Sequence, residues 1–309
     1  MKEARRRFEC FGGLATVAVL GPESMRPQRV VATVEATLLE AHRQLSRFLP
    51  DSALSRLNRD RRATVPAPPL LVELAAAARE AGRLTDGLVD ATLLGEIEAA
   101  GYRSSMGRRP EVVEDGPEPG RGAAAPNPAR SWQQISVDRV GSTVTRPPGV
   151  AIDSGGIAKG LLADRVAAAL EPFPAFLVDC CGDLRLGGAA GRPRPIRIED
   201  PFGGEPIHTL RASAGGVATS GITHRRWRGA DGSSAHHLLD PATGAPAFTG
   251  IVQATALAPT AFLADVLAKW ALLSGPERAA GRLPHGGVLV HQDGEVEIVP
   301  GRKVKASAA

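Results

Sequence analysis

Between Ala151 and Asp164 the chain reads AIDSGGIAKGLLAD, and this stretch holds the residue types that a phosphate-bearing ligand needs. An apolar strand end (Ala151, Ile152) runs into an acid, Asp153, then Ser154-Gly155-Gly156, then a helical pattern carrying Lys159. Glycines at a strand-to-helix turn let a ligand come close to the backbone. The helix start adds unpaired N–H groups and a partial positive charge. Asp153 and Lys159 supply an acid and a cation within the same turn. The plainer reading of these glycines is a tight connection with no ligand at all.

Three further clusters carry chemistry. Gly215-Gly216-Val217-Ala218-Thr219-Ser220-Gly221 leads through Thr223 to Arg225-Arg226-Trp227. Its small hydroxyl residues, Thr219 and Ser220, and its arginines suit an anionic or heteroaromatic ligand, since arginine pairs phosphate bidentately. A turn followed by a solvated basic strand would look the same. The run His236-His237-Leu238-Leu239-Asp240-Pro241-Ala242-Thr243-Gly244 ends a strand in a turn. Adjacent histidines on a strand face opposite ways, so at most one can enter a site. Last, Asp265 and Lys269 stand four apart on a helical pattern starting at Pro259-Thr260, in the favourable acid-first order. Taken alone they read as an ordinary surface ion pair.

The elements that must position these residues follow from periodicity and composition. Residues 14–20 read as a strand, and Val30 to Phe48 as a helix with Val30, Val34, Leu38, Ala41, Leu45 and Phe48 on one face. A second helix covers 70–83, with others at 156–170 and 259–274. Strand-like segments recur at 133–145, 175–187, 194–199, 207–212, 251–258 and 286–299. Strands outnumber helices and often follow one another directly, which indicates an α+β fold and not an alternating one. Residues 107–130, rich in Pro, Gly and charge, read as a flexible surface insertion. The domain is expected to span 8–300, with a disordered tail over 301–309.

Composition narrows the function classes. Hydrophobic residues at 43% and charged residues at 23% are ordinary for a globular protein with a sizeable core. A net charge of +4 with scattered arginines and only 4% aromatics does not make a nucleic-acid surface. Cys10, Cys180 and Cys181 form neither a disulfide framework nor a metal spacing. The basic start has no apolar stretch long enough for a signal peptide, and no transmembrane segment is read, so the expected location is cytoplasmic.

Taken in order, the blocks SRFLPDSALSRLN (46–58), TDGLVDATL (85–93), AIDSGGIAKGLLAD, LVDCCGDLRLGG (177–188), GVATSGITHRRW (216–227), HHLLDPATGAPA (236–247) and ALAPTAFLAD (256–265) resemble the FAD:protein FMN transferase family, the ApbE type. The resemblance covers nearly the whole chain outside 107–130. It implies an α+β protein with a T-fold-like core, mixed or antiparallel sheets flanked by helices, and two lobes around a flavin cleft. It also implies transfer of the FMN half of FAD onto a threonine hydroxyl of an acceptor flavoprotein, with release of AMP.

Carried over by motif, the flavin-binding candidates are Phe11, Phe48, Ala100-Gly101-Tyr102, Asp153, Lys159 and Leu239. Phe48 stands where a tyrosine is common, keeping the stacking plane and losing the hydroxyl. His237 and Asp240 match the family's H-x-x-D-P-x-T-G block and are the catalytic candidates on the acceptor side, with Lys269 as the third. The resemblance further implies magnesium held by the Gly156 carbonyl, by Asp265 and by a threonine four residues on. That threonine position is Lys269 here. An ammonium cannot ligate a cation and repels one, so either magnesium binds weakly through Asp265 and the FAD phosphates, or Lys269 stands in for its charge. An FAD pyrophosphatase and a non-catalytic flavin-binding protein are the competing functions.

Overall fold

A computed structural model describes residues 1–105, 120–229 and 232–301. In chain order its strands are β1 (Lys2–Cys10), β2 (Gly13–Gly21), β3 (Thr64–Pro66), β4 (Ser136–Asp138), β5 (Thr143–Thr145), β6 (Ala175–Cys180), β7 (Asp183–Gly187), β8 (Arg194–Ile198), β9 (His208–Ala212), β10 (Gly215–Gly221), β11 (Arg226–Arg228), β12 (Ser234–His236), β13 (Ile251–Ala258), β14 (Gly287–His291) and β15 (Val296–Val299). Its helices are α1 (Pro27–Leu45), α2 (Ala53–Arg59), α3 (Pro69–Thr85), α4 (Leu94–Ala99), α5 (Ala158–Ala167), α6 (Ala261–Ser274) and the single turn α7 (Pro276–Ala279).

The fold is organised by one eight-stranded sheet in the order β1-β2-β6-β7-β10-β13-β14-β15. Every neighbouring pair in it is antiparallel. Helices α1, α5 and α6 pack side by side against this sheet. Apolar side chains of β8 and β9 (Ile196, Ile198, Leu210) pack with Leu186, Val217 and Val288 of the sheet in a second, smaller core. Coverage on both faces explains why β2 and β13 are buried along nearly their whole length. This is the α+β class, with sheets that are antiparallel throughout.

Two departures from the sequence reading have clear causes. Strand β1 carries KEARRRFEC, whose charges hide its pattern; it is a sheet edge with most of its residues exposed, where charge is tolerated and useful. The first long helix ends at Leu45 because Ser46 turns extended (φ −73°, ψ 120°), so Phe48 leaves the core stripe. Of the expected insertion, residues 107–119 lie outside the described residues, as do 302–309 of the expected tail. Residues 120–130 lie along the body: the Gly120, Arg121 and Ala124 amides donate to Gln292 Oε1, Phe248 O and Leu273 O. No helix among the described residues is long and apolar enough to cross a membrane.

Candidate functional site

Two tight hairpin turns at one end of the sheet begin the site. Cys10 pairs with Gly13 across Phe11-Gly12, and Cys180 pairs with Asp183 across Cys181-Gly182. All four turn residues have positive φ (49°, 68°, 57° and 99°), as two-residue type I′ hairpin turns require. Because β2 and β6 are neighbours, with Ala15 opposite Cys180, the turns are adjacent, and the Cys181 thiol donates to Cys10 O at 3.1 Å. One turn brings Phe11 to a cavity wall; the other places Asp183 at the base of the site.

The AIDSGGIAKGLLAD segment is built differently from the sequence reading. Ala151 to Asp153 do not form a strand end; the Asn58 side chain brackets Ile152, donating to its carbonyl and accepting from its amide, both at 2.9 Å. Asp153 Oδ1 then accepts from the Gly155 amide at 3.0 Å, and Ser154 donates to Leu45 O at 2.7 Å. Part of the motif serves helix docking. A Cβ at Gly160 would lie 2.8 Å from Ala261 O, so only glycine lets α5 come this close to the start of α6. Asp164 accepts from the first amides of α6, Ala261 (2.8 Å) and Phe262 (2.9 Å), and Thr260 caps the same end. The two helices are thereby fixed so that Lys159, Asp265 and Lys269 meet.

A cavity of about 500 Å³ opens beside the turn. Its aromatic wall is Phe11, Phe48 and Tyr102, with Leu239 and Asp153 also on it. Arg47 organises this wall. Its guanidinium lies 4.3 Å from the Phe48 ring and 4.7 Å from the Tyr102 ring, 3.2 Å from Asp153 Oδ1, and donates to Tyr102 O at 3.0 Å. Only 5% of its side chain is exposed. Tyr102 in turn stacks on Trp227 at 5.4 Å. Such a wall suits a flat heteroaromatic ring.

A second cavity, of about 770 Å³, lies between the sheet and the β8–β9 ribbon, and Thr219 and Ser220 line it. The two cavities share Gly155, Lys159, Arg225, His237 and Lys269. At this junction Lys159 Nζ lies 3.0 Å from Asp183 Oδ2, and Lys269 Nζ donates to Asp265 Oδ1. Asp183 is fully buried and Asp265 is 1% exposed. The pair expected at the surface is therefore a buried one, because α6 packs against β10, β13 and α5 at once. Burial and the nearby Asp265 push the Asp183 carboxyl up to about 6 despite Lys159 and Lys269. For Lys159, burial opposes the charge but Asp183 and Asp265 outweigh it and raise its pKa. His237 is held well below the usual imidazole range by burial, then by Arg225, His236 and the two lysines, so its ring is neutral. Its Nδ1 has no hydrogen-bond partner among the described residues.

The residues do not fit a tightly held divalent cation. The family resemblance implies a metal held by Gly156 and Asp265. The space between them is taken by Lys269, whose Cε lies 3.8 Å from where a Cβ on Gly156 would be. Among the described residues no group of three or more His, Cys, Asp or Glu side chains could hold a metal ion.

Most of the sequence candidates converge here: Phe11, Phe48, Tyr102, Asp153, Lys159, Leu239, His237, Lys269 and Gly156 line the first cavity, and Asp265, Thr219 and Ser220 the second. Three do not line either cavity. Asp240 is a turn residue, its Oδ1 accepting from the Ala125 (3.0 Å) and Ala242 (3.1 Å) amides. Ala100 and Gly101 act through their backbone. The Ala100 carbonyl accepts from Trp227 Nε1 at 2.6 Å, and Gly101 (φ 107°) leaves no room for a Cβ beside that indole. Sequence reasoning missed Arg47 and Asp183. Asp183 had a signal, an acid directly after a Cys-Gly hairpin turn.

A family model described as the ApbE family matches residues 11–287. A Salmonella typhimurium protein named FAD:protein FMN transferase is 27% identical over 289 residues, 91% of this chain and 81% of its own. A Haemophilus influenzae protein of the same name is 30% identical over 266 residues, 80% of this chain and 72% of its own. The crystal structure of the ApbE protein from Thermotoga maritima superposes with a TM-score of 0.79 at 25% identity, covering 96% of this chain and 97% of that one.

Proposed function

The chain belongs to the ApbE family, and from that premise we propose that it moves FMN from FAD onto a threonine hydroxyl of an acceptor flavoprotein. The observation that carries this reading is the junction, where an aromatic cavity meets Lys159, Lys269, Arg225 and His237. Phe11, Phe48 and Tyr102 hold the isoalloxazine ring, with Arg47 keeping the latter two in place. The pyrophosphate then falls at the lysines. Phosphoryl transfer asks the protein mainly for positioning and for charge neutralisation, which fits a site made of fixed cations.

In the step itself the acceptor hydroxyl oxygen forms a bond to the flavin-proximal phosphorus. The anhydride bond to the second phosphorus breaks, and AMP leaves with that bridging oxygen. The hydroxyl proton passes to His237, whose ring is neutral and lines both cavities. Lys159, held by Asp183 from below, neutralises charge on the phosphates. No step is assigned to a metal, because Lys269 stands between Gly156 and Asp265.

The reading is tested by incubating the purified chain with FAD and an acceptor domain, then resolving the products by mass spectrometry. FMN on an acceptor threonine with equimolar AMP is the expected result. Free FMN and AMP without labelling would make it a pyrophosphatase, and FAD recovered intact would make it a flavin-binding protein.

A further inference from the structure

We infer that Lys269 is the built-in cation for the FAD pyrophosphate, taking the place of a divalent metal ion at the junction of the two cavities. The inference deepens the transferase reading and rests on it for the identity of the ligand. Breaking a pyrophosphate concentrates negative charge on the bridging and equatorial oxygens, and a fixed positive charge in a low-dielectric site offsets it best.

Lys269 has the required position. It lines both cavities, between the Gly155-Gly156 turn and Asp265. An ammonium has three donors; one goes to Asp265 Oδ1, which leaves two for a ligand. Lys269 is 8% exposed, so its charge is weakly screened by water yet open to the site. It is also rigidly placed, four residues after Asp265 on a helix whose start is fixed by Asp164 and by the close contact at Gly160.

The same geometry works against a metal. A dication at this point would sit beside the Lys269 ammonium and compete with it for Asp265. The remaining buried acid, Asp183, is already matched by Lys159 at 3.0 Å. Two acids and two lysines thus form a charge-balanced set, and Arg225 adds a further positive charge at the junction.

Calorimetric FAD affinity and AMP release, measured on the full chain in excess chelator and in excess magnesium, test this. The unaltered chain should change by less than about threefold between the two conditions. In Lys269→Thr, affinity in chelator should fall by about tenfold or more, the loss of one charge-assisted phosphate contact, and magnesium should restore it. Titration with magnesium alone should then show a site in Lys269→Thr and none in the unaltered chain, while Lys269→Arg should keep FAD affinity in chelator. A drop of about tenfold or more on chelating the unaltered chain, reversed by magnesium, would overturn the inference and needs no variant to fold. Lys269→Thr binding FAD in chelator as tightly as the parent would overturn it too. Metal-independent FAD binding without acceptor labelling would instead sink the transferase reading and leave the role of Lys269 supported.

Discussion

The wall of the aromatic cavity and the junction behind it are built by opposite means. Phe11 sits in a hairpin turn, Phe48 in the loop after α1 and Tyr102 in the loop after α4, so this wall rests on loops, with Arg47 clamping the latter two. Lys159, Asp183, Asp265 and Lys269 come from α5, β7 and α6, regular elements locked together by Asp164 and Gly160. A stacking surface tolerates small in-plane shifts, because its contact is spread over a whole ring face and offset geometries are equally good. A charge facing a developing phosphorane does not, because catalysis depends on orientation set in advance. In the proposed reaction the more demanding chemistry falls to the more rigid frame.

Removing the cation opposite Asp183 should separate the two regions most strongly. Lys159→Met is expected to lower kcat by about a hundredfold or more with a smaller change in KM for FAD. It should also destabilise the fold by about 3–5 kcal/mol, since a buried carboxylate loses its partner. Steady-state kinetics and a denaturant titration check both; a loss confined to KM would erase the division of labour. Next in size is Arg47→Met, which should weaken FAD binding by about tenfold and leave kcat within about threefold, as a lost clamp on the aromatic wall would. A large kcat effect there would instead make Arg47 part of the chemistry.

At neutral pH the smallest effect is that of a neighbour of the junction, whose contribution changes only in acid. His236 packs edge-on against Phe248 at 4.7 Å, and burial followed by Arg226 pushes its pKa down to about 3. An unfolded histidine binds a proton near pH ~6.5. Between those values the unfolded state holds the extra proton, so this contribution is present above pH ~6.5 and is lost as pH falls towards 3, at about 1.4 kcal/mol per unit. Asp183 acts oppositely: with its pKa raised to about 6, the folded state holds the extra proton between pH ~3.9 and 6, and its contribution falls as pH rises through that window. A Tm-against-pH series should show a steeper acid loss in the parent than in His236→Phe. Equal slopes would mean that His236 is not held neutral.

Much of this was legible in the chain, and the gaps have physical causes. Val34, Leu38, Ala41 and Leu45 announced the buried face of α1 because their spacing matches the helical period. The same period carried on to Phe48, and only the backbone turn at Ser46 shows why that ring faces a ligand cavity. Lys159 and His237 stood out because their local motifs are dense in chemistry. Asp183 and Arg47 did not, since each gains meaning from partners far away in sequence: Lys159 for one, Asp153 and Tyr102 for the other. Asp265 and Lys269 could be paired from spacing alone, but spacing carries no information about burial, which is set by three elements closing over α6. Asp240 lies in a turn outside both cavities, and a turn-forming acid has the same local signature as a catalytic one.

The central claim is that the flavin lies on the loop-built wall while its phosphates lie on the fixed cations. A crystal structure of the full chain with FAD, grown in chelator, tests it most directly. The account predicts the isoalloxazine ring against Phe11, Phe48 and Tyr102, and the flavin-proximal phosphate within hydrogen-bond distance of Lys159 and Lys269. Phosphates lying away from both lysines, or a ring outside that wall, would contradict it.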